Sequence, residues 1–301
     1  MRIFFLKIIV LCIFHCILIF LFLKNCYNYN DNIKSKNSYK AIDLKLHMDV
    51  MEQLILSIVQ GIAEWLPISS EGISVYILIK FFNSNPSQAL SYAIFLHFGT
   101  MLAVIAKFRE DFAKILSLKD KKLVKLLLIT SIFTAITAIP LFYLITSFKS
   151  GLEVTIFIGL MLIVTGIILR LPKSGYRDFE SMSIVDMALL GLFQGFAVLP
   201  GISRSGTTIS FLLLRKINKE DALKISFLIS VPAVLGALAI DFLSNSHDIQ
   251  IEVGLIVVTT TFFVGYLTMD LLLKFARVVD FSKFCISLGL ITIILTLFQL
   301  L

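Results

Sequence analysis

The chain has 301 residues, of which 58% are hydrophobic and 16% charged, and its mean hydropathy is +0.94. A soluble domain of this length could not bury so much apolar surface, so the composition indicates an integral membrane protein. The net charge of +7 does not indicate nucleic-acid binding, because the lysines and arginines lie in loops without interleaved aromatic residues or a known binding motif.

The first apolar run covers residues 3–23 and is preceded by Arg2. Its end lacks a small-residue cleavage site, which favours a signal anchor over a removed signal peptide. Residues 24–47 are rich in Asn, Lys, Ser and Tyr and are typical of a polar linker. Met48 or Met51 could also start the protein. We therefore assign residues 1–50 to an N-terminal apolar anchor and linker, and residues 51–301 to a membrane-embedded domain.

Six further apolar runs have about the 20 residues that a membrane-spanning helix needs. They lie at residues 88–106, 123–147, 152–171, 222–243, 251–273 and 284–301. Two further segments, at residues 51–82 and 184–215, each begin with a shorter apolar run that leads into a repeated phrase described below. The sequence predicts an all-α polytopic membrane protein with six core transmembrane helices and an extra N-terminal apolar helix.

One phrase occurs twice, 134 positions apart and without a gap. Gln60-Gly61-Ile62-Ala63-Glu64-Trp65-Leu66-Pro67-Ile68-Ser69-Ser70-Glu71-Gly72 aligns with Gln194-Gly195-Phe196-Ala197-Val198-Leu199-Pro200-Gly201-Ile202-Ser203-Arg204-Ser205-Gly206. Each copy is a helix-like apolar run that breaks near proline and continues with hydroxyl, charged and glycine residues. Polar groups inside an apolar sequence usually mark a functional site.

Loop charges predict the orientation of the two copies. The loop from Lys107 to Lys125 contains seven Lys and Arg residues, whereas the loop from Ser244 to Glu252 contains none, so we place the first inside and the second outside. Counting spans from these loops makes residues 51–82 and 184–215 re-entrant helical hairpins that enter from opposite faces. The prediction is an inverted-topology repeat, with repeat 1 at about 51–147 and repeat 2 at about 184–273, whose breaks share a cavity.

The second break has the chemistry of an anion site. It opens a short helix that runs to Leu214, and free N–H groups at a helix start suit a phosphate. Arg204 adds a planar fork that can bind two phosphate oxygens, and Ser203 and Ser205 flank it with hydroxyls. Glycine at 201 and 206 allows close backbone approach. Phosphate is the anion that fits best.

The first break contributes carboxylates. Glu64 lies one helical turn after Gln60 on the same face, and Ser69, Ser70 and Glu71 follow. A carboxylate beside a bound phosphate is better suited to holding a metal or activating a nucleophile than to binding alone. Because Arg204 is the one cation of these motifs against a diphosphate, we expect a divalent cation at Glu64, with Gln60 or Glu71 as a second ligand.

Other interpretations stay open at this point. Ser69, Ser205 and Thr207 could cap helices instead of contacting substrate. His97 lies within the span at 88–106 and is expected to hydrogen-bond a neighbouring helix. A lipid flippase or transporter is the main functional alternative, since inverted repeats with half-helices are typical of carriers. A structural relative without catalytic activity is a third.

The two breaks resemble the signature motifs of the undecaprenyl-diphosphate phosphatases of the bacitracin-resistance type. The resemblance extends from about Met51 to the C-terminus. It also includes Leu96-His97-Phe98-Gly99-Thr100 and Ser226-Phe227-Leu228-Ile229-Ser230-Val231-Pro232. It implies a multi-pass plasma-membrane enzyme that hydrolyses a polyprenyl diphosphate to the monophosphate with Mg²⁺ or Ca²⁺ and recycles the lipid carrier for cell-envelope glycan synthesis. The implied active site opens to the outer face of the membrane. A homodimer is one possible oligomeric state.

Carried over by position, the resemblance implies catalytic and substrate-binding residues. The catalytic residues are Glu64, Ser70 and Arg204, with Ser70 as a nucleophile or phosphate contact. The substrate-binding residues are Gln60, Ser69, Ser203, Ser205 and Thr208. One departure matters: the family pattern continues with Thr-Gly-His after the paired serines, whereas this chain has Glu71-Gly72-Ile73. The histidine base of that pattern is therefore absent. We expect Glu64 or Glu71 to accept the proton, or a metal to lower the pKa of water enough that no such base is needed.

Overall fold

A computed structural model describes residues 50–171, 174–244, 251–276 and 279–298. These residues form eleven α-helices: α1 Val50–Ala63, α2 Ser70–Phe81, α3 Pro86–Lys107, α4 Arg109–Leu116, α5 Lys121–Thr146, α6 Gly151–Ile168, α7 Ile184–Gly195, α8 Arg204–Leu214, α9 Lys219–Ser244, α10 Ile251–Ala276 and α11 Phe281–Phe298. Short 3₁₀ turns cover Phe179–Ser181 and Phe196–Val198. No β-strand occurs within the described ranges, which confirms the all-α prediction for them.

Six helices are long and apolar enough to cross a membrane: α3, α5, α6, α9, α10 and α11. Each begins and ends within a few residues of a predicted span, because a run of about 20 apolar residues is a strong signal for such a helix. The predicted N-terminal apolar helix at residues 3–23 lies outside the described residues.

The basic segment between α3 and α5 is not the plain loop that the sequence predicted. It contains helix α4, which runs from Arg109 to Leu116. Phe112 and Ile115 of α4 pack against the hydrophobic cluster below it, while Leu116 stays exposed. The sequence did not predict this helix of eight residues, because the many charged residues of the segment indicated a loop.

Four short helices form two pairs. In the first pair α1 has 14 residues and α2 has 12; in the second α7 has 12 and α8 has 11. At a rise of 1.5 Å per residue, a 12-residue helix is about 18 Å long, whereas the apolar core of a bilayer is about 30 Å thick. Neither member of a pair is long enough to span a membrane alone.

The helices pack so that the two breaks lie in the centre of the molecule. Helix α1 packs against α10, and α7 packs against α5. Helix α2 packs against α3, and α8 packs against α9. The large apolar side chains of Trp65 and Phe227 meet edge to face, with ring centroids 5.5 Å apart, beside the first break. Each of the four short helices that flank the breaks is thus packed against a long helix.

The start of α7 is fixed by a buried carboxylate. Ser183 and Asp186 form a reciprocal capping box, and Arg215 at the end of α8 donates to Asp186 over 2.6 Å. Burial alone would raise the pKa of Asp186, but hydrogen bonds from Ser183 and Arg215 hold it below its ordinary value. The start of α7 is thereby tied to the end of α8.

Candidate active site

The first break begins where α1 ends. The amide of Glu64 still donates to the Gln60 carbonyl over 3.0 Å, and the chain then turns through Ser69, whose φ of 61° is left-handed. The Ser69 hydroxyl accepts from the amide of Gly72 over 3.3 Å, so Ser69 caps α2. Ser69 is therefore a helix cap, as one of the open interpretations predicted, and Ser70 is the first residue of α2.

The second break repeats this design. Ser203 aligns with Ser69 in the repeated phrase, and its hydroxyl accepts from the Gly206 amide over 3.1 Å at the start of α8. The alternative that Ser205 and Thr207 cap helices is wrong, because both lie inside α8. Thr165 of α6 braces the turn: its hydroxyl donates to the carbonyl of Gly201 over 2.8 Å and accepts from the amide of Ser203 over 3.0 Å.

The two breaks touch each other. The amide of Gly201 donates to the hydroxyl of Ser69 over 3.0 Å. A Cβ atom on Gly72 would lie 2.6 Å from the nitrogen of Gly201, closer than non-bonded atoms can approach. Gly201 has a φ of +106°, which favours glycine. Glycine at both positions lets the two backbones meet.

The contact brings Glu64 and Arg204 together. Arg204 Nη2 lies 2.5 Å from Glu64 Oε1, and both side chains are largely buried. Arg204 Nη1 donates to the carbonyl of Ser226 over 3.2 Å, and the guanidinium lies 5.6 Å from the ring centroid of Phe227. The carboxylate of one break and the guanidinium of the other therefore form a buried ion pair.

The second oxygen of Glu64 accepts from three more side chains. Glu64 Oε2 lies 3.0 Å from Gln60 Nε2 and 2.7 Å from the Ser70 hydroxyl. It is also 3.3 Å from Nε2 of His97, which lies on α3. The Ser70 hydroxyl thus donates a hydrogen bond to a carboxylate, which is the arrangement of a hydroxyl nucleophile beside its base.

A cavity of about 170 Å³ opens onto these groups. Its polar residues include Glu64, Ser69, Ser70, Glu71, His97, Ser203, Arg204 and Ser205. Its apolar wall comes from α5 and α9 and includes Ala138, Ile139, Phe142, Val234 and Ile240. The cavity thus has a charged end and an apolar side.

Two of the sequence-predicted substrate-binding residues lie beside this cavity and do not line it. Gln60 is fully buried and bonds Glu64. Thr208 is also fully buried; its hydroxyl donates to the carbonyl of Arg204 over 2.8 Å and lies 2.7 Å from the hydroxyl of Ser226. Gln60 therefore contacts Glu64, and Thr208 contacts the backbone of Arg204, without facing the cavity.

Sequence reasoning underrated His97. We expected it to hydrogen-bond a neighbouring helix, and it does, but the partner is Glu64 and the hydroxyl of Ser70 is 3.5 Å away. The available signal was its position within Leu96-His97-Phe98-Gly99-Thr100, a segment that carries part of the resemblance. Ile73, where the family pattern has histidine, is buried on α2.

Comparison with known proteins identifies the family. The family model described as bacitracin resistance protein BacA matches residues 53–294. The chain belongs to the BacA family. An undecaprenyl-diphosphatase of Methanothrix thermoacetophila is 47% identical over 251 residues, which are 83% of this chain and 98% of that protein.

Two further BacA relatives give the same result. An undecaprenyl-diphosphatase of Methanococcoides burtonii is 44% identical over 83% of this chain and 99% of its own length. One of Methanopyrus kandleri is 36% identical over 83% of this chain and 97% of its own length.

Proposed function

We propose that this BacA-family chain is a membrane hydrolase that converts undecaprenyl diphosphate, or a similar polyprenyl diphosphate, to the monophosphate and inorganic phosphate. The contact between Glu64 and Arg204 carries the proposal, because it places an anion-binding group beside a carboxylate within one cavity. The names of the three relatives support the substrate class. The monophosphate would return the lipid carrier to cell-envelope glycan synthesis.

The cavity suits an amphiphilic substrate. Arg204 can bind two phosphate oxygens through its planar fork, and the start of α8 adds backbone N–H groups and the hydroxyls of Ser203 and Ser205. Ser69 lines the same end of the cavity. The prenyl tail would lie along the apolar wall formed by α5 and α9.

The arrangement supports attack by Ser70. Its hydroxyl donates to Glu64 over 2.7 Å, so Glu64 can accept the proton as the oxygen attacks the terminal phosphorus. The bond from that phosphorus to the bridging oxygen breaks, and the lipid monophosphate leaves with the bridging oxygen. Water then hydrolyses the phosphoserine and releases inorganic phosphate. Direct attack by water, with Glu64 in the same role, is the alternative; trapping a phosphoserine at Ser70 distinguishes them.

A divalent cation, Mg²⁺ or Ca²⁺, is part of the proposal. Among the described residues no group of three or more His, Cys, Asp or Glu side chains is arranged to hold a metal. However, buried Oε1 atoms of Gln60 and Glu71 have no hydrogen-bond partner, which fits oxygen ligands for a cation. Glu64 with Gln60 or Glu71 would hold it, and substrate phosphates would complete its ligands. A bound cation would neutralise phosphate charge and acidify a bound water.

We also propose that α1–α2 and α7–α8 are re-entrant hairpins of an inverted repeat. Backbone hydrogen bonds support this for the second pair, because the segment before α7 meets the segment after α8: the Tyr176 amide donates to Lys216 and the Asn218 amide to Arg177, each over 2.8 Å. The packing is also pairwise equivalent, with α1 on α10 matching α7 on α5, and α2 on α3 matching α8 on α9.

The proposed location is the plasma membrane, with the active site open to the outer face. The loop charges place α4 inside and the end of α9 outside, and the apolar wall of the cavity comes from the C-terminal, outer halves of α5 and α9. A homodimer is the oligomeric state that we would test first, by light scattering of the protein in detergent.

The experiment that tests the function is phosphate release from undecaprenyl diphosphate by the purified protein, with and without EDTA. We expect release that EDTA abolishes. Glu64→Ala and Arg204→Ala should each remove most of the activity while the protein stays folded. Full activity in both variants would contradict the assignment, and a flippase would move the lipid without releasing phosphate. No observation on this chain favours the flippase.

A further inference from the structure

His97 occupies a fixed position in the wall of the cavity. It lies on α3, and only 15% of its side chain is exposed. Its Nδ1 atom is 2.8 Å from the carbonyl oxygen of Ala93, one turn earlier in the same helix. A carbonyl oxygen only accepts hydrogen bonds, so Nδ1 carries a proton and the orientation of the ring is set by the backbone.

The other ring nitrogen faces the reacting groups. Nε2 lies 3.3 Å from Glu64 Oε2 and 3.5 Å from the hydroxyl of Ser70. Ser70 already donates to the same carboxylate oxygen over 2.7 Å. Since its nearest partner is a carboxylate oxygen, Nε2 donates to Glu64, and with Nδ1 also donating the ring is the doubly protonated imidazolium form. The ring therefore links the backbone of α3 to the carboxylate.

This link becomes important when Arg204 binds a phosphate. Arg204 Nη2 is bonded to Glu64 Oε1 in the structure, and the same fork is the proposed phosphate ligand. When the guanidinium turns to phosphate oxygens, Oε1 loses Arg204 and faces the proposed cation. The protein then holds Glu64 through Oε2, by Gln60 from α1 and by His97 from α3.

We propose that His97 is a positioning residue, which holds the carboxylate of Glu64 in place to receive the Ser70 proton while Arg204 binds the substrate. The inference rests on the proposed phosphatase function. It also accounts for the departure at position 73. Ile73 is three residues after Ser70 and so on the same face of α2, and in this chain the imidazole reaches Ser70 and Glu64 from the neighbouring helix.

The test compares three substitutions at one position in the purified full chain. His97→Leu removes the donor at similar volume. His97→Gln keeps an N–H group at about the reach of Nε2, and His97→Asn keeps one only at the reach of Nδ1. We expect Leu and Asn to lower kcat about 10- to 100-fold with KM unchanged, because a hydrogen bond to a charged group is lost. Gln should restore most of the rate.

Thr100→Val is the matched control. Thr100 is buried one turn later on α3, and its hydroxyl donates within the helix to the carbonyl of His97 over 3.1 Å. We expect its kcat and unfolding temperature to match those of the wild type. The inference is overturned if His97→Leu and His97→Asn keep the wild-type kcat, or if Gln is as slow as Asn while both variants unfold at the wild-type temperature. Failure of the proposed function looks different, since the wild-type protein would release no phosphate.

Discussion

Glu64 concentrates the hydrogen bonds of the site on one carboxylate. Its two oxygens face Arg204, Gln60, Ser70 and His97. Removing the carboxylate would leave the guanidinium of Arg204 buried without its counter-charge, which usually costs several kcal/mol. Glu64→Gln removes the same charge but keeps the side-chain volume and one acceptor oxygen for Arg204, so it is a better catalytic probe than Glu64→Ala.

Glu71 carries the prediction about the metal. Its buried Oε1 has no hydrogen-bond partner, and the residue lines the cavity next to Ser70. If this oxygen binds the cation, Glu71→Gln should raise the Mg²⁺ concentration needed for half-maximal phosphate release and weaken Mg²⁺ binding in calorimetry. Glu110→Gln, at an exposed site on α4, is the control. Identical Mg²⁺ curves for the wild type and Glu71→Gln would exclude Glu71 as a ligand.

The pairing of Glu64 with Arg204 could be predicted from the sequence, whereas the contact of His97 with Glu64 could not. Both members of the pair lie in a repeated phrase, and an inverted repeat brings such phrases together. His97 lies outside the phrase. Its contact depends on how α3 rotates against α2, and hydropathy does not determine rotation in a helix that is apolar on most sides.

At the scale of elements, the meeting of the two breaks depends on backbone contact. The breaks are joined by the hydrogen bond from Gly201 to Ser69, and each is closed by a serine at the equivalent position of the repeat. This junction joins a backbone amide to one short serine side chain, so it has little freedom to adjust. A small displacement of either helix start would therefore change the distance between Glu64 and Arg204.

Gly72→Ala should disturb this junction. The added Cβ would lie 2.6 Å from the nitrogen of Gly201, so backbone must shift. We expect a loss of about 1–3 kcal/mol of stability, measured as a lower unfolding temperature, together with a lower rate of phosphate release. Gly236→Ala is the control, because a Cβ there meets nothing within 4 Å. Equal unfolding temperatures in the two variants would contradict the close approach.

The element boundaries show which signals the sequence carries. The six long helices match the predicted spans because each is one apolar run between polar ends. The sequence did not predict helix α4, because charged residues dominate its segment. Its few apolar residues indicate a helix only once the hydrophobic cluster against which they pack is known.

At the scale of the whole molecule, the outer surface carries many large apolar side chains along the long helices. Helix α5 exposes large apolar side chains at Leu128, Ile132, Ile136 and Ile139, one turn apart. Charged side chains gather instead near the helix ends, as in the Lys224–Asp111 pair between α9 and α4. This distribution fits a lipid-facing stripe between two polar faces.

Single-cysteine labelling of intact cells tests the arrangement of the whole chain. In a background without the four native cysteines, Lys119→Cys, Glu180→Cys and Lys216→Cys should resist a membrane-impermeant reagent, and Ser244→Cys should react. The physical reason is the excess of basic residues that stay inside. Retained phosphate release is the control for folding. Labelling of Lys119→Cys and Ser244→Cys from the same side would contradict the topology, and opposite sides for Glu180→Cys and Lys216→Cys would exclude a second hairpin.

The bond between Arg204 and Glu64 has a consequence for turnover. The guanidinium of Arg204 is paired with Glu64 in the structure, so an anion that binds to Nη2 must displace this carboxylate. A diphosphate anchored by its tail can do so at high local concentration. Free phosphate lacks that tether, and the returning carboxylate would help to expel it, so product inhibition by the small anion should be weak.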